Sequence, residues 1–155
     1  MKKFYVLLFI SLFMFCGCEN KKETVKEDYI ATKSNLIKKT NYTNKEDLPI
    51  EIVTSLNRIN EEEVEYKVVL SKARKNMYDI KALVVHNYYN EDDVFPSIGL
   101  FDKKEELLIG DDKKLELTGI VKTSKNISEL DLELKVYVEY TDDDNKKKSI
   151  YYKTT

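Results

Sequence analysis

Few side chains in this sequence could attack a substrate or hold a transition metal: one histidine, His86, and two cysteines, Cys16 and Cys18. A Ser-His-Asp triad or a zinc site built on His86 needs partners at fixed positions, and a zinc site would lack a second nitrogen or sulfur ligand. His86 is therefore expected at a strand end beside Asn87, without a chemical role. Carboxylates are plentiful, 28 Asp and Glu, but nothing fixes the separation of a pair as glycoside hydrolysis requires. The four glycines form no phosphate-cradling loop. Asp142, Asp143, Asp144 and Asn145 supply calcium-type ligands, yet the sixth position of that loop is Lys147 instead of Gly and the twelfth is Lys153 instead of Glu. The stretch reads as a solvated hairpin turn. No catalytic residue, cofactor or metal centre is expected, and the chain is not read as an enzyme.

The charged residues carry a weaker suggestion. If consecutive strands reverse direction, alternate loops share one end of the domain. One end then collects Glu61, Glu62, Glu63, Glu91, Asp92, Asp93, Asp111, Asp112, Asp142, Asp143 and Asp144. The other collects Lys72, Arg74, Lys75, Lys103, Lys104, Lys122 and Lys125. On this reading the domain is electrically polar end to end. Asp142, Asp143, Asp144, Glu91, Asp92, Asp93, Asp111 and Asp112 are then candidate contacts for a basic protein partner or a loosely held calcium ion.

The cysteines belong to an address. Met1, Lys2 and Lys3 are followed by an uncharged apolar run from Phe4 to Phe15, the n-region and h-region of an export signal. At roughly 1.5 Å per residue the run spans about 18 Å, short of the roughly 30 Å hydrocarbon slab. Cys16, Gly17, Cys18, Glu19 and Asn20 follow, and this junction resembles the lipobox of bacterial lipoproteins, with Phe15 where that family prefers Leu. The resemblance implies that Cys18 takes a diacylglyceryl group, that cleavage falls between Gly17 and Cys18, and that residues 1–17 are removed. It implies a protein held on the extracytoplasmic side of the cell membrane, since two acyl chains anchor stably where one does not. An ordinary cleaved secretory signal and an uncleaved anchor are the alternatives.

With the signal gone, the 26 Lys and Arg lose Lys2 and Lys3 while the 28 acidic residues stay, so the remainder is net acidic and ill suited to nucleic acid. Cys16 leaves and Cys18 is acylated, so no disulfide framework remains. Stability must come from a core, and with no Trp and only Phe95 and Phe101 left, that core is Leu, Ile and Val with Tyr at its margins. Residues 18–46 are polar and mixed in charge, and read as the lipidated cysteine and a flexible tether with a reach of roughly 30 Å. Ile30, Leu36 and Ile37 allow a weak amphipathic helical turn or two instead.

Residues 47–155 carry the period-two signal of strands. The first run, Ile50 to Ile59, fits helix and strand spacing alike, with strand favoured. Val64, Tyr66, Val68 and Leu70 share one face, and Tyr78, Ile80, Ala82 and Val84 repeat the pattern. Further runs cover Val94 to Phe101, Leu107 to Ile109, Leu115 to Val121, Leu130 to Tyr140 and Ile150 to Lys153. Six apolar residues alternating from Leu130 to Tyr140 would scatter around a helix but share one face of a strand. The expected fold is all-β: a two-sheet sandwich of seven to eight short antiparallel strands.

Val84, Val85, His86, Asn87, then Ile98, Gly99, Leu100, Phe101, Asp102 and Leu107, resemble the FxLYD or telokin-like immunoglobulin-like domains of bacterial lipoproteins. That resemblance implies an immunoglobulin-like sandwich used for binding or assembly. Tyr88, Tyr89, Tyr137, Tyr151 and Tyr152 are expected to be partly exposed, as contact residues or as cross-strand pairs on an outer face. The preferred function is a membrane-anchored binding or assembly module. The alternative is a carrier of a small ligand or ion in a sandwich pocket, for which an apolar cavity of roughly 300 Å³ or more would speak.

Overall fold

A computed structural model describes residues 19–154. The expected signal segment, residues 1–17, and the expected lipidation site Cys18 lie outside the described residues. The described residues form a helix, α1 (Glu19–Lys38), and eight strands: β1 (Glu51–Asn60), β2 (Glu63–Ser71), β3 (Met77–His86), β4 (Ser97–Ile98), β5 (Glu105–Leu107), β6 (Leu115–Lys122), β7 (Leu134–Thr141) and β8 (Lys147–Lys153). β1, β2 and β6 make a three-stranded sheet in the order β1-β2-β6. The five-stranded sheet runs β4-β3-β7-β8, with β5 also on β3. All pairings are antiparallel. This is the expected all-β sandwich, and its strand order is immunoglobulin-like.

The core lies between the sheets. Tyr66, Val68 and Leu70 from β2 and Leu115, Leu117 and Val121 from β6 meet Ile80, Ala82 and Val84 from β3 and Val136, Val138 and Tyr140 from β7. The ambiguous first run is the strand β1, in register with β2 from Glu51↔Ser71 onward, and it buries Ile52. The run from Leu130 to Tyr140 is shorter than its alternation suggests, because β3 ends at His86, opposite Leu134. Beyond that point the Asn87 amide donates to the Asp131 carbonyl (2.9 Å) and accepts from the Glu133 N–H (3.0 Å), which holds Leu130 to Glu133 as a loop.

Two expectations fail. The first concerns loop placement. β4 and β5 both run antiparallel to β3, at Ala82/Leu83 and at Met77/Ile80 respectively, so they follow one another along the same sheet edge without a reversal between them. Gly99, at φ +69°, makes the jog between them, and its N–H donates to the Asp102 carboxylate (2.6 Å). A side chain at this position would collide with the Ile80 carbonyl. One reversal fewer than expected moves every later loop to the opposite end. Glu61, Glu62 and Glu91 to Asp93 share an end with Lys122 and Lys125, whereas Asp111, Asp112 and Asp142 to Asp144 join Lys72, Arg74 and Lys75. Bonds across each end confirm the grouping: Thr123 N–H to Glu62 O (2.7 Å) at one, and Asn76 Nδ2 to Asp143 Oδ1 (3.1 Å) at the other. The domain is not polar end to end.

The second concerns the tether. From Glu19 to Lys38 it is a helix lying on the outer face of the five-stranded sheet, and an irregular stretch then leads to Lys45. Tyr29 and Leu36, two turns apart on one stripe, are buried against Leu83 and Val85 of β3 and Tyr137 of β7. Polar clamps hold the rest. Lys33 Nζ donates to the carbonyls of Glu91 (2.8 Å) and Asp93 (2.7 Å), and Lys81 pairs with Asp28 (2.6 Å). Lys135 Nζ reaches the Ile37 carbonyl (2.8 Å), where a cation suits the helix C-terminus.

Candidate functional site

Two concave surfaces flank the loop from Asn87 to Pro96. One is a cleft of about 490 Å³ at the open side of the sandwich. It opens where β6 is the outermost strand of its sheet, while the other sheet continues beyond β3 with β4 and β5. Inward-facing residues of β2 and β3 form its floor. Tyr66 stands opposite Gly119 in the β2–β6 register, and its ring occupies the space that a side chain at 119 would need. His86 contacts Tyr66 edge-on (centroids 5.4 Å apart) and Phe95 likewise (5.1 Å). Thr118, Ile120 and Lys122 line one wall, and Asn90, Asp93, Val94 and Pro96 the other.

His86 is the chemically unusual residue of this cleft. It is only 5 % exposed, and its Nδ1 is sealed from solvent without a hydrogen-bond partner. Burial depresses its pKa below the ordinary 6.5, and the Asp93 carboxylate opposes that shift. The imidazole is therefore neutral at neutral pH. Burial pushes the Tyr66 phenol well above its usual range, so it stays protonated. The lining is neither a nucleophile with its base nor a paired carboxylate.

The second surface is a shallower groove of about 820 Å³ between α1 and the same loop. Tyr29 accepts the Phe95 N–H on its phenol oxygen (2.7 Å) and packs on Phe101 (4.9 Å between centroids). Around that buried contact four large apolar side chains remain exposed: Val94 (79 %), Phe101 (56 %), Ile30 (53 %) and Tyr89 (38 %). Lys26 and Lys38 line the helix side and Glu91 and Asp92 the loop side.

The acidic residues singled out by the sequence do not come together. Asp142 closes the β7–β8 turn by accepting the N–H groups of Asp144 (3.1 Å) and Lys146 (2.9 Å). Those bonds, the Lys146 one foremost, hold its carboxyl below the usual range. Asp143 accepts from Asn76 and Tyr78, and Asp144 pairs with Lys146. Asp111 and Asp112 are exposed beside Gly110, while Glu91, Asp92 and Asp93 lie on the loop at the other end. Among the described residues no three His, Cys, Asp or Glu converge as a metal site would need.

Of the tyrosines expected to be partly exposed, Tyr88, Tyr151 and Tyr152 are half-buried and Tyr89 is exposed, but Tyr137 is buried beneath α1. Tyr29, Lys33 and Leu36 were not foreseen as part of any site. A signal for them existed: Ala82 to Val85 is an unbroken apolar run, and such a strand needs cover on both faces. Compared with family models, curated proteins and solved structures, the chain finds no match.

Proposed function

We propose that this chain is a membrane-anchored, extracytoplasmic binding or assembly module, held through lipid on Cys18. The observation that carries the binding reading is the groove beside α1. Four large apolar side chains exposed around one concavity, with unlike charges on its two walls, are the ordinary marks of a contact surface. The anchoring reading rests on the sequence from Met1 to Cys18. No helix among the described residues is long and apolar enough to cross a membrane. Because α1 begins at Glu19 and is docked on the sheet, lipid on Cys18 would hold the domain close to the headgroups instead of on a long leash.

The test is fractionation of cells carrying Cys18→Ala, with the mass of the N-terminal peptide measured in the unaltered protein. Loss from the membrane fraction and an added lipid mass are expected. Retention on membranes without lipid mass refutes the anchor. A photo-crosslinker at Val94 then reports what occupies the groove.

The second reading, a carrier of a small ligand, is favoured by one observation, the cleft over His86. Its volume falls in the range of roughly 300–1,000 Å³ typical of small-molecule sites, though its lining is more polar than a carrier of apolar cargo would need.

A further inference from the structure

We propose that the edge of β6 and the cleft beside it together accept an extended peptide, which adds as a fourth strand to the three-stranded sheet. This rests on the binding-module reading and names the partner's form: a polypeptide segment in β conformation.

The first observation is the state of the edge. β6 pairs with β2 from Leu115 to Lys122 without a register shift, so it presents eight residues of regular strand. Among the described residues, no backbone group of β6 is hydrogen-bonded on the side away from β2. Exposed edges are templates for strand pairing, and folded proteins ordinarily blunt them. β4 and β5 are only two and three residues long, and the Thr43 N–H caps the Tyr151 carbonyl of β8 (2.7 Å). β1 is in regular register with β2 from Glu51 to Arg58 and is irregular only between Arg58 and Asn60, so its edge is open as well. What distinguishes β6 among the described outer strands is that its open, regular edge borders the cleft, which no residue of β1 lines.

The second observation is the cleft's position. A strand added to β6 would lie about 4.8 Å beyond it, over the opening lined by Thr118, Gly119 and Ile120. Alternate side chains of that strand would point inward, toward Tyr66, His86 and Phe95. In constant-type immunoglobulin sheets a fourth strand occupies this side. Here the chain passes from β5 directly into β6 and supplies none.

The third observation concerns chemistry. The cleft has one carboxylate, Asp93, and one ammonium, Lys122, so it offers no net charge to a charged guest. Its floor is a neutral imidazole, a protonated phenol and a phenyl ring. An uncharged inward side chain fits these walls, while backbone pairing to β6 supplies affinity that does not depend on it. A small solute would fill the cleft but leave the β6 amides and carbonyls bare, so a peptide uses both features and a solute uses one.

The test uses the full chain in detergent micelles, panned against a phage-displayed heptapeptide library, with the selected peptide then synthesised as the probe. His86 is the sole histidine, so its imidazole resonance reports the cleft without assignment. Expected are a saturable shift of that resonance and about tenfold slower hydrogen exchange at those amides of residues 115–122 not already bonded to β2. Binding should weaken about tenfold in Thr118→Lys/Ile120→Lys, two exposed positions where lysine guards the edge without disturbing the core.

The proposal is overturned if no peptide is selected, or if the selected peptide protects the α1 groove instead. It is equally overturned if small solutes move the His86 resonance without slowing exchange at β6. Protection of β6 by concentration-dependent self-association alone would make the occupant a second copy and refute the peptide. None of these outcomes touches the Cys18→Ala fractionation, which tests the anchored-module reading separately.

Discussion

Tyr66 lies across its cross-strand neighbour Gly119, in the space where any larger residue would place its first carbon. The pair joins the two-sheet core to the cleft. The ring is buried, and its edge meets His86. Gly119→Ala forces a buried tyrosine off its position, and overpacking of this kind costs about 1–3 kcal/mol. A urea midpoint lowered accordingly, together with a shifted His86 resonance, is expected. An unchanged midpoint would show that the ring moves aside freely.

The helix makes a second prediction. Leu36 is wholly buried between α1 and the sheet, so Leu36→Ala should cost about 2–3 kcal/mol and expose Leu83, Val85 and Tyr137 to a hydrophobic dye. If residues 19–38 were a leash, the same substitution would change neither stability nor dye binding. Lys33→Met separates packing from clamping. It keeps the aliphatic stem but deletes the bonds to the Glu91 and Asp93 carbonyls, and should loosen the loop from Asn87 to Pro96 as read by hydrogen exchange.

These two regions differ in how far they could be read from the residues. The β2, β6 and β7 alternation was plain, because a sheet with one buried face writes its geometry at period two. Helix α1 was obscure for a physical reason. Only Tyr29 and Leu36 of its stripe are apolar and fully buried, with Ile37 partly so, and much of the remaining attachment is made by lysines to carbonyl oxygens and a carboxylate, which no hydropathy pattern records. The positions of the acidic loops were lost at one place, Gly99. A jog within an edge strand is indistinguishable in sequence from a hairpin, yet it changes the end at which Asp111 and Asp142 emerge. His86 stands at the end of β3, as its place beside Asn87 implies. Its burial depends on Tyr66 and Phe95, which are remote in sequence.

A third prediction concerns pH. His86 has its pKa lowered in the folded state by burial, which the Asp93 carboxylate opposes, and the Tyr66 ring lies against it. The unfolded chain therefore takes up a proton at higher pH than the folded one. Stability from this group is present above the ordinary value of 6.5 and is lost as pH falls from there through the folded pKa. Urea midpoints should decline between about pH 7.5 and 5.5, and His86→Gln should flatten that decline. The depressed carboxyls of Glu51, Glu105 and Asp142 add losses of the same sign, but only at lower pH, below their ordinary carboxylate range. A midpoint that holds constant down to pH 5.5 would mean that His86 titrates in the fold as it does in water.

The groove beside α1 can be tested where stability and contact part company. Val94 is the most exposed of its apolar residues, so Val94→Ser should leave the urea midpoint within about 0.5 kcal/mol of the parent. Phe101 also packs on Tyr29, so Phe101→Ser carries a stability loss of about 0.5–1.5 kcal/mol for the lost ring pair. If the groove seats a partner, both variants should reduce crosslinking from a probe placed at Ile30, and Val94→Ser should do so with no stability change to explain it. Equal crosslinking by Val94→Ser and the parent would leave the exposed side chains as ordinary surface. The binding reading would then have to stand on the cleft and the β6 edge.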